Sequence, residues 1–270
     1  MNLICVDQKK CIKCGMCIKV CSNILEMGKN GPKAKYPELC IGCGQCVAVC
    51  PQAAIDNNRA PLSNQIALDQ NLHLDSKAAS QFLRRRRSIR HYKKTPIPRN
   101  QLLELINIAR FAPTAGNSQG LSYIIVEDKN TLKKAAERTI DWMKSQTVDT
   151  NTAIYRSFAK HLQVHKEKGI NTILRDAPHI ILATTPKNMP RGRENTIFSL
   201  TYLELYAPSL GLGSCWAGLL EMCLFDHYAP LVDLFNIPED KEISGVVMVG
   251  YPQYHYQRMV DRNPLDVAWL

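Results

Sequence analysis

Between Asn100 and Ala112 the chain reads NQLLELINIARFA, and its apolar residues Leu102, Leu103, Leu105, Ile106 and Ala109 return every three or four positions. That period places them on or near one face of a helix, with Asn100 expected at the N-cap. The stretch LSYIIVE from Leu121 reads as a buried strand, as do HIILAT from His179 and ISGVVMVG from Ile243. Further helical patterns cover residues 131–146, 152–168 and 194–210, the last expected to stop at Gly211 or Gly213. Helices and strands in this irregular order predict an α+β domain, a central sheet flanked by helices, more than a regular βαβ array.

That pattern does not extend to the start of the chain. The segment AAIDNNRAPLSNQ after Pro51 is polar and turn-rich, which divides the sequence into a small domain at 1–60, a linker at 61–80 and a second domain at 81–270. The second part is long enough for a core of its own. No apolar run approaches the ~18 residues that span a bilayer, and the opening MNLICVDQKKC resembles no export signal. A cytoplasmic protein with no membrane association is expected.

The small domain holds the densest chemistry. Nine of the eleven cysteines precede residue 51, and eight of them form two copies of one spacing, C-x2-C-x2-C-x3-C: Cys11, Cys14, Cys17, Cys21 and Cys40, Cys43, Cys46, Cys50. Three cysteines at two-residue gaps let one loop wrap three corners of an iron-sulfur cube. Zinc sites group C-x2-C pairs and have no use for the third cysteine, and a thioredoxin-like pair leaves the duplication unexplained. The spacing resembles the well-known cysteine run of the bacterial two-cluster ferredoxins. That resemblance implies two [4Fe-4S] clusters with crossed ligation: Cys11, Cys14, Cys17 and Cys50 for one, Cys40, Cys43, Cys46 and Cys21 for the other. Ser22 stands where the family usually has proline. Cys5 is left over and reads as a packed thiol.

Charge adds one qualification. The formal net charge is +10. Two oxidised clusters with all-thiolate ligands, each carrying about two negative charges, would lower it to about +6. Part of the basicity therefore compensates cofactors. The run RRRR at 84–87 also admits a nucleic-acid patch or a plain solvated face, although no helix-turn-helix or zinc finger accompanies it. GLGSCWAG at 211–218 follows a helix and lacks the third glycine of a dinucleotide fingerprint, and no P-loop is present.

The stretches RRSIRHY at 86–92, ARFAPTAGNSQG at 109–120, GLGSCWAGLL at 211–220 and VGYPQYHYQR ending at Arg258 together resemble the nitroreductase family of FMN enzymes. With the cysteine runs, the chain is similar to the ferredoxin-fused branch of that family. The resemblance implies that Arg86 and Ser88 hold the FMN phosphate and ribityl chain, that Arg90 faces the pyrimidine end of the ring, and that Arg258 is a second phosphate contact. The chemistry suits these roles, since a guanidinium fork matches phosphate oxygens and a cation near the pyrimidine stabilises reduced flavin. Tyr256 replaces a lysine common in relatives, leaving Arg262 as a substitute to be tested. Pro113, Thr114 and Asn117 are implied to meet the flavin of a neighbouring subunit in a homodimer, with Gly120 and Leu121 departing from the usual proline and tryptophan. Gly218, Leu219 and Leu220 are implied to lie along the reactive edge near N5. Cys215, Trp216 and the histidines read as structural.

The function implied is an iron-sulfur flavoprotein oxidoreductase. Electrons from a reduced ferredoxin or NAD(P)H would reach FMN and pass to an electron-poor acceptor of nitroaromatic, quinone or enone type, with chemistry at N5 and no catalytic side chain. A non-catalytic redox carrier or sensor, and a nucleic-acid-binding regulator, are the competing classes.

Overall fold

The computed structural model describes residues 2–146 and 152–270. These form two compact units, one running through His73 with residues 116–118, the other from Leu74 to Ala115 and from Gln119 to Leu270.

The first unit is two short antiparallel ribbons and two single-turn helices. Strand β1 (Ile4–Val6) leads to α1 (Met16–Val20), then the hairpin of β2 (Leu25–Gly28) and β3 (Gly31–Ala34), then α2 (Gln45–Ala48) and β4 (Ile55–Asn57). β1 pairs with β4, and β2 with β3. Leu3, Ile4, Leu25, Val47 and Ile55 form a small core together with Cys17 and Cys46. So few apolar side chains give a segment of this size little stability by themselves. Cys5, expected to be packed, is exposed. Strand period explains this, because Ile4 turns into the core and its neighbour must face outward.

In the second unit α3 (Ser76–Arg84) and α4 (Arg99–Ala109) precede β5 (Ser122–Val126), followed by α5 (Lys129–Gln146), α6 (Ala153–Lys168), β6 (His179–Pro186), α7 (Gly192–Tyr206), β7 (Gly213–Trp216), α8 (Gly218–Phe225), α9 (Ala229–Val232) and β8 (Lys241–Gly250). The sheet is antiparallel with order β5-β6-β8-β7. Apolar clusters lie on both faces: Leu102, Leu105, Leu200, Leu203 and Val247 on one, Trp142, Met143, Phe158, Leu220 and Met248 on the other. This is the α+β architecture that the alternation of patterns implied.

One local expectation needs correction, and a second, the helix stop at Gly211, holds with a change of helix type in its last turn. Asn100 is not the N-cap of α4; Pro98 is, and Asn100 falls in the first turn. The α-helix of α7 stops at Tyr206 and continues as a 3-10 turn, Ala207–Leu210, before Gly211 turns left-handed at φ 71. Pro208 has no N–H to extend the α-helical ladder. One strand, β7, is invisible to periodicity because GSCW offers four residues without alternation. No helix among the described residues is long and apolar enough to cross a membrane.

Candidate functional site

Each cysteine run begins with a loop and enters a short helix. Gly15 and Gly44 stand at the two helix starts with φ of 76 and 72, a left-handed backbone in which a side chain is strained. The turn places the third cysteine of each run, Cys17 and Cys46, inward and buried. Beyond α1 and α2 the fourth cysteines diverge from their own runs. One cavity is lined by Cys11, Cys14, Cys17 and Cys50, and a second by Cys21, Cys40, Cys43 and Cys46. Burial pushes the Cys17 thiol up, with the Cys50 and Cys14 sulfurs adding to the effect. Burial does the same to Cys21, helped by Cys46, Cys43 and Cys40. Among the described residues no three Cys, His, Asp or Glu groups converge as a single metal ion requires. The sulfurs ring a space and do not meet at a point.

Donors line the sulfurs. The Ala54 N–H points to Cys50 Sγ at 3.3 Å and the Gly42 N–H to Cys40 Sγ at 3.5 Å. Asn57, unremarked in the sequence, is 2% exposed and directs Nδ2 to Cys46 Sγ at 3.6 Å and Cys40 Sγ at 3.7 Å. Its Oδ1 accepts from the Arg59 N–H at 3.0 Å, which fixes the amide orientation. The one available signal was a polar residue at an inward position of β4, two places after Ile55.

In the second unit the segment carrying Arg86, Ser88 and Arg90 runs beside β7. Ser88 and Ser214 form a parallel bridge, in which the Ile89 N–H donates to the Ser214 carbonyl at 2.9 Å. Tyr92 bridges Pro252, and its hydroxyl donates to the Ile89 carbonyl at 2.6 Å. Arg86 Nη1 lies 3.5 Å from Ser88 Oγ and 4.0 Å from Glu204 Oε1. Arg90 Nη1 lies 3.5 Å from the Ser88 carbonyl. A cavity of about 590 Å3 opens alongside, lined by Arg85, Arg87, Glu204, Ser214 and Arg258 among others. Arg86 does not line it directly; its partner Glu204 does. Arg87 stacks on Tyr256, 5.3 Å from the ring centre. Arg87 thus places a cation over the Tyr256 ring.

α8 begins directly after β7, so Gly218, Leu219 and Leu220 form its first turn, where N–H groups have no intrahelical acceptor. Glu221 anchors that turn: its Oε1 accepts from Val246 N at 2.7 Å, and its two oxygens each lie 3.2 Å from Arg193 of α7. Pro113 and Thr114 belong to the second unit, whereas Asn117 is grouped with the first. The loop is held by Ala115 N–H donating to Asn195 Oδ1 at 2.9 Å and Gln119 N–H to Thr114 Oγ1 at 3.1 Å. Cys215 is buried, and burial pushes its thiol up, although Arg90 opposes the shift. Arg262 is exposed in the terminal segment, its N–H donating to the Asp261 carboxylate at 3.0 Å.

Residues 83–251 match the model of the nitroreductase family. The chain belongs to that family. Residues 3–62 match a 4Fe-4S dicluster domain, so this family member is an oxidoreductase carrying a ferredoxin-type domain. Among relatives, an iodotyrosine deiodinase of Thermotoga neapolitana is 25% identical over 177 residues, covering 63% of this chain and 86% of that protein. An NADH dehydrogenase of Thermus thermophilus is 28% identical over 188 residues, covering 66% and 87%. The fold is that of a Bacteroides fragilis nitroreductase solved with bound FMN: TM-score 0.56, 20% identity, 70% of this chain and 98% of that one.

The nitroreductase unit fits a flavin phosphate by the chemistry of its donors, with Arg85, Arg87 and Arg258 around one cavity and Arg86 beside it. The dicluster domain fits a cubane by the same test, since four sulfurs ring each cavity and N–H groups point at them.

Proposed function

We propose that this nitroreductase-family protein is an iron-sulfur flavoprotein reductase that holds two [4Fe-4S] clusters and one FMN per chain. Cys11, Cys14, Cys17 and Cys50 would hold one cluster and Cys21, Cys40, Cys43 and Cys46 the other. Arg86, Ser88, Arg90 and Arg258 would hold FMN, with Pro113, Thr114 and Asn117 facing the flavin of a partner subunit in a homodimer. The observation that carries the reading is the division of eight cysteines into two rings, each borrowing its fourth thiol from the other run. Bound there, the clusters would supply single electrons and the flavin one or two, so electrons from a low-potential donor such as ferredoxin or NAD(P)H could be delivered as pairs to an electron-poor ring.

The chain's own residues supply placement. Asn57 and the backbone N–H groups steady the thiolates; Arg85, Arg87 and Arg258 bring positive charge to the phosphate; the first turn of α8 presents N–H groups at Gly218–Leu220. The test is iron, acid-labile sulfide and flavin analysis of protein purified without oxygen. The reading expects about eight iron, about eight sulfide and about one FMN per chain. Zinc with no sulfide would overturn the cluster assignment. Flavin reoxidation by nitroaromatics or quinones no faster than by buffer alone would favour the carrier class instead.

A further inference from the structure

Glu204 is the buried carboxylate of the cation-rich cavity. It sits on α7 at 5% exposure, yet it lines the space shared by Arg85, Arg87 and Arg258. Its Oε2 accepts from Trp216 Nε1 at 2.9 Å, and its Oε1 accepts from Ser214 Oγ at 3.3 Å and faces Arg86 Nη1 at 4.0 Å. Three groups from two other segments therefore hold the charged form, against the cost of burying it. Burial wins, pushing this carboxyl above the usual range while Arg86, Trp216 and Ser214 pull it back. Tyr92 and Cys215 also sense its charge.

A carboxylate in this position is an anion already paired with the arginine that the flavin phosphate needs. The phosphate brings up to two further negative charges beside this buried carboxylate, and like charges at close range disfavour joint ionisation. Resting on the FMN reading above, we propose that Glu204 is a proton-linked positioning residue for the phosphate: ionised, it holds Arg86 in place, and when phosphate takes over Arg86, the carboxylate accepts a proton from solvent. Loading of FMN is then coupled to proton uptake. The sign follows from linkage: because the flavin-bound state holds the extra proton, affinity falls as pH rises through the titration range of Glu204.

The experiment is calorimetric titration of FMN into flavin-free, iron-loaded full-length protein at pH 6.5, in buffers of differing ionisation enthalpy, for wild type and Glu204→Gln. The difference counts the protons that depend on the Glu204 charge, and infrared difference spectra assign them to its carboxyl and not to the phosphate. The wild type should take up more protons than the variant by about 0.3 or more, and its affinity should fall more steeply from pH 6 to pH 8. Equal proton counts would overturn the proposal while leaving the FMN reading intact. If Glu204→Gln does not fold, infrared difference spectra of the wild type decide: a protonated-carboxyl band that appears on FMN addition and shifts in D2O supports the coupling, and its absence overturns it. Failure of the wild type to bind FMN at all would overturn the flavin reading and this proposal with it.

Discussion

Ser88 and Ser214, 126 positions apart in sequence, lie side by side in a parallel bridge, and the Ile89 N–H donates to the Ser214 carbonyl at 2.9 Å. This one contact carries the arginine-rich segment to the strand whose far end starts α8. It depends on Gly213. A Cβ there would meet Ile89 Cγ1 at 2.5 Å, Ile89 Cβ at 2.9 Å and the Pro252 ring at 3.0 Å, all stiff neighbours. Gly213→Ala should therefore move the 86–90 segment and weaken FMN binding about tenfold or more, the equivalent of roughly 1.4 kcal/mol. Iron content should not change. Fluorescence quenching of added FMN, read beside iron analysis, checks both.

The crossed rings make a prediction that single substitutions cannot. Cys11→Ser with Cys50→Ser removes two ligands from one ring under the crossed arrangement, and one from each under a run-by-run arrangement. The double variant should keep about four iron per chain, a single intact cluster. The pairing Cys11→Ser with Cys21→Ser should lose both clusters. Iron and sulfide analysis of the two double variants separates the possibilities.

Asn57 directs its amide at two sulfurs of one ring only. Donated N–H groups stabilise the reduced, more negative cluster. Asn57→Leu should lower the potential of that cluster by on the order of 20 to 60 mV, equating a hydrogen bond of about 0.5 to 1.5 kcal/mol with ~59 mV per tenfold for one electron. The other cluster should keep its potential. Redox titration followed by electron paramagnetic resonance would show one shifted signal and one constant signal.

His179 is 1% exposed, and its Nε2 accepts from the Ile97 N–H at 2.8 Å, which leaves the proton on Nδ1 without a partner among the described residues. Burial pulls its pKa below the ordinary value, with Glu127 opposing the shift. A depressed folded-state pKa means that the neutral ring's contribution to stability is present above pH ~6.5 and declines as pH falls below it, because the unfolded state then binds the proton first. Urea unfolding at pH 8 and pH 5 should show the stability gap between wild type and His179→Gln narrowing on acidification. A gap that stays constant would mean that the ring is protonated equally in both states.

The α-helix over 131–146 was readable from its period, and the strands at His179 and Ile243 as nearly continuous apolar runs. β7 was not, since four residues of GSCW carry no period and owe their strand to a place beside β8. Asn100 misled for a related reason: its side chain suits a cap, but Pro98 already starts the helix.

The site divides along the same line. Spacing singled out all eight cysteines as candidate cluster ligands, and the arginines of RRSIR stood out as a motif. Sequence by itself determined these groups and the α+β class. The exchange of fourth cysteines was already implied by the ferredoxin resemblance, and the two cavities agree with it; what tertiary structure alone supplied was Asn57 against Cys46 and Glu204 against Arg86. Eleven positions separate the first pair and 118 the second. Neither local period nor composition records such a distance, and only the packing of the core brings those atoms within reach of one another.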